Sequence, residues 1–298
     1  MSGAALALVV TAAVCHAFWN ALAKRARQPL VFVWSSVTIA TVVLGGAALP
    51  LARLDDVRAA LPFTRLDDVR AALPFLLTTM LLHAFYFYAL TASYGAGDFS
   101  RVYPIARGLG VALVPVVAYA VFGERLSTLG IAGIALVVAG IVALNLLPRA
   151  SAPHAPRWHP GPGTGWALLT GLTITAYSLT DKAGVSRLHP VPYLALMGMG
   201  TIVLLVPVIV RRSSALREEW AVNWRWILAA STTNLTGYLL VLFAFRLSKT
   251  GYVVAARELS ILFSAVLGSL WLGEGRLGPL MAAAVVVLAG VICVAFAR

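Results

Sequence analysis

The stretch Asp98–Glu124, DFSRVYPIARGLGVALVPVVAYAVFGE, decides how the chain is read, because it sets one arginine, Arg107, inside an otherwise apolar run of transmembrane length. A guanidinium in hydrocarbon costs roughly 2.5–3.5 kcal/mol on insertion scales, so such a residue faces a partner, a bundle interior or a water-filled pathway. The arrangement returns 150 residues later, with Arg257 in place of Arg107 and Glu274 in place of Glu124. The same register pairs Ala106 with Ala256, Gly123 with Gly273, Ala132 with Ala282, and Ala139-Gly140 with Ala289-Gly290. Upstream of the arginines it needs a gap of a few residues. A weaker echo links Thr11, Ala17, Phe18 and Lys24 with Thr170, Ala176, Tyr177 and Lys182.

Composition agrees with a membrane setting. Of 298 residues, 60% are hydrophobic and 11% charged, and the mean hydropathy is +0.89. These values lie outside the range of soluble globular domains. The apolar residues come in runs matched to an α-helix crossing about 30 Å of hydrocarbon, and the short alternating segments of a membrane β-barrel are absent. The net charge of +12 sits at the ends of these runs, where basic loops meet anionic lipid. No clustered basic module for nucleic acid is present. Cys15 and Cys293 lie inside apolar runs and suggest neither a disulfide framework nor a metal site.

Ten spans are expected, at 4–23, 30–49, 74–93, 99–121, 127–146, 165–183, 191–210, 226–245, 250–271 and 277–296. The first is read as a retained span and not a cleaved leader. Residues 148–164 contain five prolines and form a linker between a first repeat, 1–147, and a second, 165–298. Five spans on each side make the second repeat run opposite to the first. The fold class is therefore all-α integral membrane, ten transmembrane helices as two inverted five-helix repeats, an arrangement that places a substrate site near the midplane. A separate tandem copy, Arg53–Thr64 against Arg65–Leu76, reads as a duplication within a tolerant loop. Lys and Arg are shared almost equally between the two sets of loops, so charge does not fix the orientation.

Polar residues mark helical faces. Ser100, Tyr103, Arg107 and Gly110 recur at spacings of three, four and three. They line a pathway, or else Arg107 binds neighbouring carbonyls in a packing helix kinked at Pro104 and Pro115. Arg257 and Ser260 share a face with Ser264, while Glu258 sits about 100 degrees round the helix. Glu258 either holds a salt bridge to Arg107 or Arg101, or carries a coupling proton. His83, on a stripe with Thr79, Tyr86 and Ser93, is a second proton candidate, the alternative being a hydrogen-bonded structural histidine. His16 and Asn20 beside Trp19, then Thr170, Thr173, Tyr177 and Asp181, then Ser231, Asn234 and Tyr238, complete the polar-faced spans 1, 3, 4, 6, 8 and 9. Spans 2, 5, 7 and 10 lack a stripe and read as scaffold. The glycines of spans 5 and 10 suit close packing or a homodimer face.

No nucleophile elbow, zinc signature or nucleotide loop is present, so an enzyme, a cofactor and ATP drive are not expected. The segments YPIARG (Tyr103–Gly108), FGERLS (Phe122–Ser127), AARELS (Ala255–Ser260) and LGE (Leu272–Glu274) give the chain a pattern that resembles the drug/metabolite transporter superfamily, specifically its ten-helix EamA-type proteins. That resemblance implies a bacterial inner-membrane carrier with both termini cytoplasmic. It also implies a cavity lined by the third, fourth, eighth and ninth helices with the first and sixth, and often export of amino acids or related metabolites.

The expectation is a secondary transporter for a small anionic or zwitterionic, amino-acid-like metabolite. Arg107 and Arg257 would supply positive potential, Tyr103, Trp19, Asn234, Tyr238, Ser100 and Ser260 would shape the site, and Glu258 and His83 would balance charge or carry a proton. A lipophilic-cation exporter, like the related small multidrug resistance proteins, and a non-transporting lipid-handling protein are the alternatives.

Overall fold

The structure is a computed structural model that describes residues 1–51, 66–96, 99–146, 163–263 and 277–297. Its elements are helices: α1 (Gly3–Lys24), α2 (Pro29–Leu51), α3 (Leu66–Ala96), α4 (Phe99–Phe122), α5 (Thr128–Leu146), α6 (Thr164–Val185), α7 (Pro190–Val210), α8 (Ser213–Leu247), α9 (Thr250–Arg257) and α10 (Leu277–Phe296). No strand occurs among the described residues. Six of these helices contain segments long and apolar enough to cross a membrane: Gly3–Ala23, Pro29–Gly46, Asp67–Ala96, Ile105–Phe122, Pro190–Val210 and Ser213–Leu247. Shorter apolar stretches lie in α5 and α10. The chain is a multi-pass membrane protein.

Three boundaries differ from the sequence reading, each for a physical reason. The second tandem copy is not loop: α3 begins at Leu66 and carries Asp67 and Asp68 in its first turn, with Pro74 inside the helix. Those carboxylates suit the positive end of the helix dipole. α8 begins at Ser213 and not near residue 226, because the charged segment before Trp226 marks where the apolar run starts and not where the helix does. α9 stops at Arg257, where the Glu258 N–H turns back to the carbonyls of Ala255 and Ala256. Residues 259–263 are helical again. The first tandem copy, Gly273 and Glu274 lie outside the described residues, as does most of the Pro-rich linker.

The helices interlock across the linker more than within either side of it. α1 packs on α8 as α3 packs on α6; α2 packs on α8 as α3 packs on α7; α2 meets α7, α4 meets α9 and α5 meets α10. Each of these pairs has its counterpart when α1–α5 are exchanged for α6–α10. α5 and α10 touch backbone to backbone, since a Cβ added at Gly290 would lie 2.6 Å from the Gly133 carbonyl oxygen and one at Gly133 2.7 Å from that of Gly290. The glycines read as close-packing residues thus bring α5 and α10 together within one chain.

The turn after α4 ties the two sides at one end. Gly123 has a φ of 66°, a left-handed conformation that glycine adopts without penalty. This turn delivers Glu124 to the start of α9, where its carboxylate accepts the Thr250 N–H at 2.8 Å and the Thr250 hydroxyl at 2.9 Å. It therefore caps the exposed donors of another helix and suits its dipole. Lys249 donates to the Arg125 carbonyl at 2.7 Å alongside. Just before α9 begins, at the C-terminus of α8, Lys182 donates to the carbonyls of Phe245 and Ser248, a cation on a helix C-terminus.

The Gly133–Gly290 crossing predicts that Gly290→Ala lowers stability by about 1–3 kcal/mol, the usual range for overpacking. Gly165→Ala, at a position with no neighbour within 4 Å, should leave thermal unfolding in detergent unchanged or slightly raised.

Candidate functional site

The two symmetry-related arginines meet different fates. Arg107 is 3% exposed and Glu258 1% exposed, and they form a two-pronged ion pair: Arg107 Nε donates to Glu258 Oε2 at 3.1 Å and Nη2 donates to Oε1. The pair spans α4 and the end of α9. Glu258 follows Arg257 in the chain and projects about 100 degrees round from it, towards α4. In the repeat register Glu258 corresponds to Gly108, so the second repeat supplies a carboxylate for which the first has no equivalent.

Arg257 is also buried, at 5% exposed, but its side chain faces a cavity. Its Nη2 lies 3.3 Å from His16 Nδ1 and its Cζ stands 5.7 Å over the Tyr238 ring, within range of a cation–π contact. Trp19 Nε1 donates to the same His16 Nδ1 at 3.0 Å. With Nδ1 accepting, the His16 proton belongs on Nε2. That Nε2 and the Arg257 Nε are both buried without a hydrogen-bond partner among the described residues.

The cavity has about 620 Å³ of empty space counting its open mouth. Its polar end is His16, Asn234 and Arg257; its aromatic wall is Trp19, His83, Tyr86, Phe87, Tyr177 and Tyr238. The ring centroids of His83 and Tyr177 lie 4.5 Å apart and those of Tyr86 and Tyr177 5.3 Å apart. α2 and α7 close the remaining side with Val37, Leu44, Leu194 and Met197. These two helices carry no polar stripe in the sequence, because a largely apolar wall leaves none. Conversely, α4 contributes no lining residue among those described, in contrast to what the family resemblance implied.

Behind the aromatic wall lies Asp181 on α6, fully buried. Its carboxylate accepts the hydroxyls of Thr79 at 2.6 Å, Tyr193 at 2.8 Å and Tyr238. His83 Nε2 is 3.1 Å from the Tyr238 oxygen and 3.9 Å from Asp181 Oδ2. Tyr193 reaches Asp181 from α7 because Gly184 is bare; a Cβ there would overlap the Tyr193 ring.

Of the site residues expected from sequence, the structure brings together Arg257, Trp19, Asn234, Tyr238 and His83 around the cavity. Arg107 and Glu258 are taken up by one another, and Ser260 is buried off the cavity with no partner for its hydroxyl among the described residues. The side chains of Ser100 and Tyr103 lie outside the described residues. His16, Asp181 and Tyr193 were missed as site residues. An intramembrane carboxylate is a sufficient signal for Asp181, but its neighbour Lys182 made the segment look like a helix end.

The ion pair predicts a specific pattern of stability. Glu258→Ala strands a buried guanidinium and should cost about 3–5 kcal/mol, whereas replacing both partners with apolar residues, Arg107→Met with Glu258→Leu, should recover most of that loss. Thermal unfolding of the single and double variants in detergent measures it.

A solved structure described only as a crystal structure of protein superimposes with a TM-score of 0.66 at 19% identity, covering 99% of this chain and 97% of that one. That likeness is one of fold. The quaternary ammonium compound-resistance protein QacE of Escherichia coli is 38% identical over 69 residues, 23% of this chain and 61% of QacE. The multidrug transporter EmrE of Escherichia coli is 40% identical over 52 residues, 17% of this chain and 46% of EmrE. The uncharacterized membrane protein YvaE of Bacillus subtilis is 35% identical over 75 residues, 24% of this chain and 63% of YvaE. The chain thus spans about half to just under two thirds of the length of these relatives. Residues 47–137 match the Small Multidrug Resistance protein family and residues 161–296 the EamA-like transporter family. The two matches cover different parts of the chain, one ahead of the linker and one from the linker's end onward, and each is a likeness of that part to the family named.

Proposed function

We propose that the protein is a secondary transporter that moves a small anionic or zwitterionic, amino-acid-like metabolite out of the cell by alternating access between two inverted five-helix halves. The observation that carries this reading is Arg257, a guanidinium on the cavity wall that no carboxylate pairs with among the described residues, since Glu258 is engaged by Arg107. A carboxylate entering the cavity meets that positive charge and can accept a charge-assisted hydrogen bond, while Asn234 offers a further amide. The aromatic wall suits a flat or apolar body behind the carboxylate.

Only one of the two arginines then serves the substrate. Arg107 is neutralised by Glu258, so the positive potential in the cavity comes from Arg257. The counterpart pairing of the helices across the linker supports the inverted arrangement, in which the two arginine helices approach the midplane from opposite faces. Relative motion of the halves must preserve or exchange the Glu124–Thr250 cap, which joins them at one end.

A second reading has its own support. The curated relatives are named for multidrug and quaternary ammonium resistance, and aromatic walls also accept organic cations. Against it stand the guanidinium on the cavity wall and the engagement of Glu258 by Arg107.

Binding and proteoliposome flux with 3-phenylpropionate, L-phenylalanine and tetraphenylphosphonium separate the two readings. The proposal expects the carboxylates to bind and to be carried. It expects Arg257→Gln to weaken them by about 10- to 100-fold, the worth of a charge-assisted hydrogen bond. Uptake of tetraphenylphosphonium with indifference to both carboxylates would establish the cation exporter instead.

A further inference from the structure

The cluster behind the aromatic wall admits a count of hydrogens. Asp181 Oδ1 accepts from Thr79 and Tyr193, and Oδ2 accepts from Tyr238. Each hydroxyl owns one hydrogen, so those of Thr79 and Tyr238 are committed to the carboxylate. His83 Nδ1 lies 3.0 Å from the Thr79 hydroxyl oxygen and 3.0 Å from the Thr79 carbonyl oxygen. Its Nε2 faces the Tyr238 oxygen at 3.1 Å. Both ring nitrogens therefore confront oxygens that can only accept. A neutral imidazole carries a single N–H, so the arrangement has room for one proton beyond those on an ionised Asp181 and a neutral His83.

We infer that Asp181, Tyr238 and His83 form the coupling-proton site of the transporter, holding one shared proton whose presence sets the direction of the Tyr238 hydroxyl. The inference deepens the transport reading and rests on it for the proton's role. In one placement the proton makes His83 an imidazolium opposite the Asp181 carboxylate. In the other, His83 Nε2–H passes to the Tyr238 oxygen as Tyr238 O–H passes to Asp181 Oδ2, with no atom gained or lost. When the proton leaves, one ring nitrogen is left with its lone pair against an oxygen. Tyr238 restores the pairing by swinging its O–H from Asp181 to His83 Nε2. That tyrosine is the ring on which Arg257 rests, and both Tyr238 and His83 line the cavity. Proton occupancy thus acts on the anion-binding arginine through a single side chain.

The surroundings leave few other charges to compete. α7 presents Tyr193 as its one titratable residue, and α2 has none. From α8 comes Tyr238; from α6, Tyr177 stacks on His83 and Lys182 is held by α8 carbonyls. α9 brings Arg257, while the Arg107 of α4 is engaged with Glu258. Within α3, Tyr86 flanks His83. The network also bridges the two repeats, Thr79 and His83 belonging to the first and Asp181, Tyr193 and Tyr238 to the second. A change in its proton count is felt where the halves meet.

The test uses the full protein in liposomes, with histidine nitrogens and aspartate carboxyls isotopically labelled for magnetic resonance and infrared spectroscopy across a pH titration. In the unmutated protein, the His83 nitrogen signals and a buried aspartate carboxyl band should change in one shared step. Asp181→Asn should abolish that step, and Asp181→Glu should restore it. With a pH-sensitive dye inside and a 3-phenylpropionate gradient, wild-type flux should carry protons, whereas Asp181→Asn should still bind the probe with proton movement lost. A His83 signal that titrates without any aspartate change, or proton movement undiminished in Asp181→Asn, overturns the inference, and the labelled wild-type arm decides even if the variants do not fold. If the shared step is present but Arg257→Gln binds 3-phenylpropionate like wild type, it is the substrate reading that fails and not the proton site.

Discussion

The bundle depends on how a low-dielectric interior disposes of two symmetry-related guanidiniums. Burial of a cation is tolerable when a carboxylate meets it with good geometry, and Glu258 does this for Arg107. Adjacent on the chain, Arg257 and Glu258 project about 100 degrees apart, so Glu258 meets α4 while Arg257 points into the cavity, supported by a ring face and an imidazole. One carboxylate breaks the repeat's symmetry and assigns the two arginines unequal work.

Much else follows from the need to satisfy polar groups away from water. Glu124 caps α9 from across the linker, Lys182 covers the end of α8, and Glu219, fully buried, accepts the Gln28 N–H at 2.8 Å and the Asn223 amide at 2.6 Å. Most membrane threonines return their hydroxyls to a carbonyl one turn back, as Thr170 does to Trp166 and Thr173 to Leu169. Groups that escape such local pairing are therefore informative. Among residues lining the cavity these are Arg257 Nε and His16 Nε2, without partners among the described residues, and His83, whose two ring nitrogens both face acceptors.

The order of the elements was legible from hydropathy alone, since each of the ten expected runs overlaps a helix. Their true starts were not, because charge at the head of α3 and α8 signals the edge of the apolar run while leaving the helix free to continue past it. The pairing of Arg107 with Glu258 was one of two readings open from sequence, and spacing along one helix cannot choose between them. Arg257, Trp19, His83, Asn234 and Tyr238 were found by their polarity within apolar spans. Val37, Leu194 and their neighbours on α2 and α7 were not, since a cavity wall and a packing face are written in the same apolar residues. Asp181 stood on a stripe already recognised, yet its three hydroxyl partners come from α3, α7 and α8, and only the fold brings those together.

The central claim is that Arg107 serves the bundle and Arg257 serves the substrate. It is tested most directly by measuring 3-phenylpropionate binding to the Arg107→Met, Glu258→Leu double variant. The account predicts an affinity within about threefold of wild type, because a neutral apolar pair replaces a neutralised ionic one outside the cavity. Loss of binding in a folded double variant, comparable to the loss in Arg257→Gln, would contradict it and return Arg107 to the binding site.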